Sequence, residues 1–209
     1  AFSFLKAIKP FIRIGYKEFT QDKSAFNSAM SYTLKRAVTG SGKEIKIDFD
    51  RALVSMGTLM PVFEGTATVS NHQMTFNWKD NSGMGNAERT DIAMVLVYNK
   101  DREAAAYDTE AALRSDCHAG LQLPEDWQDD ELVAYLSFCS TDGNCVANSI
   151  CLPISVIEIP EEEIDVQTES IDTTHKRILP DKRKVHQSRI TVHSLSTPPN
   201  EIQTYRCET

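Results

Sequence analysis

Residues 74–80 read Met-Thr-Phe-Asn-Trp-Lys-Asp, and residues 91–98 read Asp-Ile-Ala-Met-Val-Leu-Val-Tyr. The first segment alternates, so that Met74, Phe76 and Trp78 share one face of a strand. The second segment is almost continuously apolar, which is typical of a strand buried in the middle of a sandwich. Two such strands with a large Trp between them predict the core of an antiparallel β-sandwich.

The flanking sequence repeats the strand signal at intervals of about 8–15 residues, with Gly, Pro, Asn and Asp between the segments. This spacing is typical of an antiparallel sandwich of the immunoglobulin or fibronectin type III kind. A short turn or a short helical connection is predicted at 111–115. The predicted strands are 45–49, 66–70, 73–79, 91–98, 103–107, 119–123, 131–139 and 145–157.

The first 42 residues favour helix instead. Apolar residues at 2, 5, 8, 12, 16 and 19 predict an amphipathic helix that Pro10 divides into two short pieces. A further helix is predicted between an N-cap at Ser24 and a stop at Gly40. The chain is therefore predicted to be mainly β with an N-terminal helical hairpin (1–42), a β-sandwich domain (43–159) and an extended charged C-terminal arm (160–209).

Composition limits the function classes. The 209 residues carry a formal net charge of −8, which argues against a general nucleic-acid or anionic-membrane binder. No apolar run reaches the ~18–20 residues of a membrane-spanning helix. The apolar opening, Phe2 to Ile8, is followed by no small-residue cleavage site and is a poor secretory signal. A soluble chain is expected, and its compartment is left open.

Charge in the arm is arranged in blocks. Residues 158–169 hold six acids, and residues 176–189 hold six bases against the single Asp181. Such a pattern is typical of an arm that binds itself or a partner, or of two solvated stretches that keep the tail in solution. Residues 185–195 alternate enough to add one strand to a sheet edge, with Ile190 and Val192 as candidate contacts.

Several motifs carry a resemblance that covers about three quarters of the chain. On these motifs the chain resembles an uncharacterised family widespread in Bacteroidota, a domain of unknown function. Its members usually begin with a Gly-rich basic segment ahead of the first helix and end with the last strand of the domain. This chain differs from the family in both respects. The resemblance implies no activity and no site residue. The matching segments are 9–17, 25–40, 52–57, 76–83 and 140–149.

The second half also resembles a fibronectin type III domain. The likeness depends on Trp78, Tyr98 and Tyr135, together with the Asp142-Gly143 hairpin and Ser149. Such domains bind or space other modules, so the resemblance implies a scaffold.

Five cysteines lie at 117, 139, 145, 151 and 207 without the spacing of a zinc site. A two-residue turn at Asp142-Gly143 would place Cys139 opposite Val146. A three-residue loop at 141–143 would place Cys139 opposite Cys145 and permit a disulfide. Free thiols and a bridge both remain open from the sequence.

Two loops are candidate recognition elements. The loop 80–91 contains Met84 and Asn86 among glycines, but it joins two strands and lacks the Lys of a phosphate loop. The acidic loop 124–131 lacks the alternating pattern of a Ca²⁺ site. Trp127 within it either fills the end of the core or, if exposed, anchors a partner.

No catalytic, cofactor or metal residue is predicted. Nucleophile-elbow and zincin motifs are absent from the sequence, and the adjacent Cys117 and His118 would point to opposite faces of a strand. We therefore expect a non-enzymatic interaction or structural protein that associates with a protein partner or with itself. The alternatives are a structural component of a virion or mobile element and a carbohydrate-binding accessory protein.

Overall fold

The computed structural model describes residues 1–156, and the predicted arm with Ile190 and Val192 lies outside them. Three helices come first, α1 (Phe2–Ala7), α2 (Lys9–Gly15) and α3 (Ala25–Arg36). Pro10 occupies the first turn of α2, so the predicted interruption is confirmed. The Ser24 hydroxyl caps α3 by accepting from the Asn27 amide at 3.2 Å.

The predicted helix stop at Gly40 is wrong. Helix α3 ends at Arg36, because the chain then forms a small hairpin of β1 (Val38–Thr39) and β2 (Lys46–Ile47). Gly40 lies after β1 with a φ of +86°, a conformation that glycine adopts without strain.

Eight further strands form two four-stranded sheets, and the predicted mainly β sandwich is confirmed. In the central sheet the order is β6-β5-β8-β9, and in the outer sheet it is β10-β3-β4-β7. The strands are β3 (Phe63–Ser70), β4 (Gln73–Lys79), β5 (Ile92–Asn99), β6 (Ala104–Leu113), β7 (His118–Gln122), β8 (Leu132–Cys139), β9 (Ile150–Leu152) and β10 (Ile154–Val156).

Two strand predictions need correction. The segment 145–157 does not form one strand, because Pro153 separates β9 in the central sheet from β10 in the outer sheet. Strand β10 pairs with β3 in parallel, so the sandwich is not purely antiparallel. The connection predicted at 111–115 begins later than predicted, because β6 pairs with β5 as far as Leu113. A short 3-10 helix at Arg114–Asp116 then follows, so the helical alternative is the one observed.

The space between the sheets is filled by the residues that the alternation predicted. Met74, Phe76 and Trp78 of β4 are buried there against alternate residues of β5 and β8. The Trp78 ring is 4 % exposed and packs edge-on against Phe138, with ring centroids 5.6 Å apart. Its indole N–H donates to the Arg114 carbonyl at 2.7 Å.

The opposite face of the central sheet is covered by the helices. Phe4 contacts Tyr98 of β5 edge-on at 4.9 Å, and Phe11 contacts Tyr107 of β6 at 6.0 Å. Strand β5 is therefore buried on both faces, which explains its continuous apolar run. Residues 1–156 therefore form three layers, which are the helices, the central sheet and the outer sheet.

Residues 49–56 connect the helices to the sheet. The Tyr16 hydroxyl donates to the Leu53 carbonyl at 3.0 Å, and the Tyr135 hydroxyl donates to the Phe49 carbonyl at 2.8 Å. Burial raises the pKa of both tyrosines above the ordinary value, so both hydroxyls remain donors. The backbone approaches so closely at Gly15 that a Cβ there would lie 2.4 Å from the Val54 carbonyl oxygen.

Candidate functional site

The two predicted recognition loops lie at opposite ends of the sandwich. Loop 80–91 leads into Ile92, which pairs with Cys139 at the end we call the upper end. Loop 124–131 leads into Leu132, which pairs with Asn99 at the lower end. Seven steps along β5 separate the two ends by about 23 Å. One small partner therefore cannot contact Met84 and Trp127 together.

At the upper end, Met84 and Asn86 have different roles. The Met84 side chain is 53 % exposed and is available for contact. The Asn86 side chain instead accepts from the Met60 amide at 2.8 Å and donates to the Thr58 carbonyl at 3.1 Å. Asn86 therefore ties its loop to the segment before β3.

At the lower end, Trp127 is 5 % exposed and fills the end of the core, so the exposed-anchor alternative does not apply. It lines an open pocket of about 670 Å³. Two carboxylates of the same loop, Asp126 and Asp130, are bound by Arg102 at 2.6 Å and 2.5 Å.

Sequence analysis did not identify Arg114, which holds the upper end together. Its guanidinium is fully buried and donates to Asp91 at 3.0 Å, to the Asn81 amide oxygen at 2.6 Å and to the Met60 carbonyl at 2.9 Å. It also lies 3.8 Å above the Phe138 ring. Desolvation lowers the pKa of Arg114, while Asp91 opposes that shift. The cluster is a structural junction between three segments.

The four cysteines of residues 1–156 are unpaired, and two of them have a raised pKa. Cys139 pairs with Val146, so the register with Cys145 opposite is wrong, and the thiols at 117, 139, 145 and 151 are free. Burial raises the pKa of Cys151 to about 12 and also raises that of Cys139. A thiol with a raised pKa is a poor nucleophile at neutral pH.

Strand β6 forms one edge of the central sheet, and β5 is its only strand partner among residues 1–156. Its first half, Ala104–Tyr107, keeps a regular register with β5 and carries no charge. The register then shifts, and Asp108 accepts from the Glu110 amide at 2.8 Å. Such a bulge protects this part of the β6 edge from pairing with another strand. The half of β6 that remains accessible is therefore the uncharged one, and an acidic residue lies on each side of it, Glu103 and Asp108.

The outer sheet exposes a surface that we call the neutral face. Its rows follow from the strand register, for example Thr66 opposite Asn77 and Asn77 opposite His118. The intervening residues, such as Phe76 and Leu121, point into the core and are buried. The face consists of Thr66, Thr68, Ser70, Gln73, Thr75, Asn77, His118, Gly120, Gln122 and Ser155. Thr68, Ser70 and Thr75 are half-buried, and the Ser70 hydroxyl is buried.

Charge appears only where the neutral face ends at the top. Glu64 and Lys79 form an ion pair at 2.5 Å there, and Phe63 lies opposite Lys79 with 44 % of its surface exposed. In the sequence, this face is indicated by the polar residues that alternate with buried apolar residues along each strand. The sequence alone did not show which strands are neighbours, so the combined surface was missed.

No three His, Cys, Asp or Glu side chains among residues 1–156 lie close enough together to hold a metal ion. No helix there combines the length and the apolar character that crossing a membrane requires.

Comparison with known proteins assigns the chain to a family. The family of unknown function DUF6266 matches residues 1–153, so the chain belongs to that family, and the predicted resemblance to an uncharacterised family is confirmed. No curated protein matches the chain.

Proposed function

We propose that this member of a family of unknown function is a non-enzymatic protein that works by association. The arm of one copy adds a strand to the β6 edge of another copy. Main-chain hydrogen bonds would supply the binding energy, and side chains on alternate positions would supply the specificity. Residues 185–195, with Ile190 and Val192, are the segment that pairs.

The observation that carries this proposal is the β6 edge with its acids. Between Glu103 and Leu113 the strand contains Asp108 and Glu110 but no Lys or Arg. The arm supplies the opposite charge, because residues 176–189 hold six bases. Opposite charges on two surfaces speed their encounter and fix the register of pairing.

The scaffold that presents this edge is proposed to be of the fibronectin type III kind. Strands β3, β4 and β7 face β6, β5, β8 and β9. This order supports the assignment, because an immunoglobulin-like domain with an added C′ strand has its C′, C, F and G strands side by side in one sheet. Domains of this kind present loops and edges to partners, which fits a role in association.

Deleting residues 160–209 tests the proposal. The full chain is expected to self-associate and the truncated chain to be a monomer, because the pairing segment is gone. Size-exclusion chromatography with light scattering at matched concentrations gives the two masses, and circular dichroism checks that the truncated chain is folded. Equal masses would exclude the arm as an assembly element.

A charge reversal separates the edge from other surfaces. In the full chain, Glu110→Lys is expected to reduce association, because it places a base next to the accessible half of β6, where the basic arm pairs. Glu125→Lys makes the same change on an exposed residue of the lower end, away from β6, and is the matched control. Equal association of both variants would exclude the β6 edge.

A further inference from the structure

The neutral face carries no charged side chain between its ends. Protein surfaces carry charged side chains at roughly 25–35 % of positions, so the seven fully exposed positions of the face would be expected to hold about two. None of the ten residues of the neutral face is Asp, Glu, Lys or Arg, although charged residues make up 25 % of the chain. The charge of the outer sheet is confined to residues at the ends of its strands, such as the Glu64–Lys79 ion pair.

This chemistry excludes several kinds of partner. A phosphate, a carboxylate ligand or an anionic lipid surface would require Lys or Arg. The neutral face has neither, and Lys79 at its upper end is paired with Glu64. The centre of a protein–protein interface is rich in aromatic residues, whereas the aromatic ring here, Phe63, lies at the margin.

The polar side chains of the neutral face can form hydrogen bonds with the hydroxyl groups of a ligand. Amides such as those of Gln73 and Asn77, and hydroxyls such as that of Thr75, donate and accept hydrogen bonds, as sugar hydroxyls also do. The His118 ring donates through its Nδ1–H to the Asp116 carbonyl at 2.8 Å, which leaves Nε2 on the exposed side chain for a ligand.

We infer that the neutral face is a binding surface for a neutral polysaccharide. The ligand would lie across strands β3, β4 and β7, with hydrogen bonds to Thr66, Asn77 and His118, which are adjacent in register. At the upper margin, the exposed Phe63 ring would stack against the C–H face of a sugar ring. The inference is independent of the arm, because all of these residues belong to the outer sheet.

Affinity electrophoresis tests the inference on the full chain. Native gels are cast with one of four neutral probes, dextran, galactomannan, arabinoxylan or hydroxyethylcellulose. The chain is expected to migrate more slowly in at least one gel than in a gel without polysaccharide. Carboxymethylcellulose, an anionic counterpart of hydroxyethylcellulose, is expected to cause no retardation.

A second experiment introduces charged side chains on the neutral face by substitution. The double variant Gln73→Glu/Asn77→Asp is expected to lose at least tenfold in affinity for the retarding polysaccharide, because unpaired carboxylates would be desolvated by the ligand. The double variant Gln21→Glu/Asn27→Asp makes the same changes on exposed residues of the helical layer and is expected to bind as the unaltered chain does. Urea unfolding checks that both variants are folded.

Three results would overturn the inference. The first is no retardation by any of the four neutral polysaccharides. The second is equal retardation of the two double variants. The third is a face that joins two copies of the chain, seen as a dimer that Gln73→Glu/Asn77→Asp converts to a monomer in the absence of retardation.

Discussion

Two arginines hold loops together at opposite ends of the sandwich. Arg114 at the upper end donates to Asp91, to Asn81 and to the Met60 carbonyl, and Arg102 at the lower end donates to Asp130 and twice to Asp126. The hydrogen bonds are equal in number, but burial differs. The Arg114 side chain is 0 % exposed, whereas that of Arg102 is 43 % exposed.

This difference shows that burial, not the number of hydrogen bonds, decides how much each junction matters. A buried charge that loses its partner has no water to replace it, so breaking the pair is costly. An exposed pair exchanges its partner for water and ions, so breaking it costs little. The upper junction should therefore be essential for folding, while the lower one should be dispensable.

The largest expected effect is that of Asp91→Ala, which leaves the Arg114 guanidinium buried without a carboxylate. We expect the free energy of unfolding to fall by about 3–5 kcal/mol. Urea unfolding followed by tryptophan fluorescence measures it, because Trp78 donates to the Arg114 carbonyl. The double variant Asp91→Ala/Arg114→Met removes the charge as well and should lose less than the single variant. A loss below about 1 kcal/mol for Asp91→Ala would contradict the role of burial.

A smaller effect is expected for Arg102→Ala, since its partners are accessible to water. The urea midpoint should change slightly at low salt, and the change should disappear in about 0.5 M NaCl, where exposed charges are screened. The comparison fails if Arg102→Ala destabilises the protein as much as Asp91→Ala.

The smallest effect is a titration shift. Hydrogen bonds from Asn99 and then from Arg102 lower the pKa of Asp130 below its usual value. The resulting stability is present above the unfolded pKa of about 3.9 and is lost as the pH falls through the lower folded value. Carbon-13 NMR should show the Asp130 pKa below about 3.9 and rising in Arg102→Ala. It should not rise fully, because Asn99 still donates at 2.7 Å. An unchanged pKa would mean that Arg102 does not bind Asp130 in solution.

Local patterns predicted much of the fold. Strand β4 was predicted at its observed bounds, because alternation with one buried face is visible in a single segment. Helix α3 was recognised from its cap at Ser24. The apolar run of β5 was also recognised, although its cause, helices on one face and a second sheet on the other, was not.

Features that depend on distant residues were not predicted. Arg114 reads as an ordinary polar residue after an Ala-rich segment, and its partners Asn81 and Asp91 lie 33 and 23 residues away. The neutral face likewise needs the order of four strands, which the sequence does not state. Pairing between segments far apart in the chain creates both sites, and no short window of sequence contains them.

The last described strand has a consequence for how the protein is made. Strand β10 completes the outer sheet by pairing Ile154–Val156 with Ala67–Val69, nearly ninety residues earlier, and the Val146 amide donates to Glu18 across 128 residues at 2.7 Å. These contacts of the first helices and of the first strand of the sandwich can therefore form only after the end of the domain has been synthesised. Such non-local closure slows folding and exposes unpaired edges on the nascent chain.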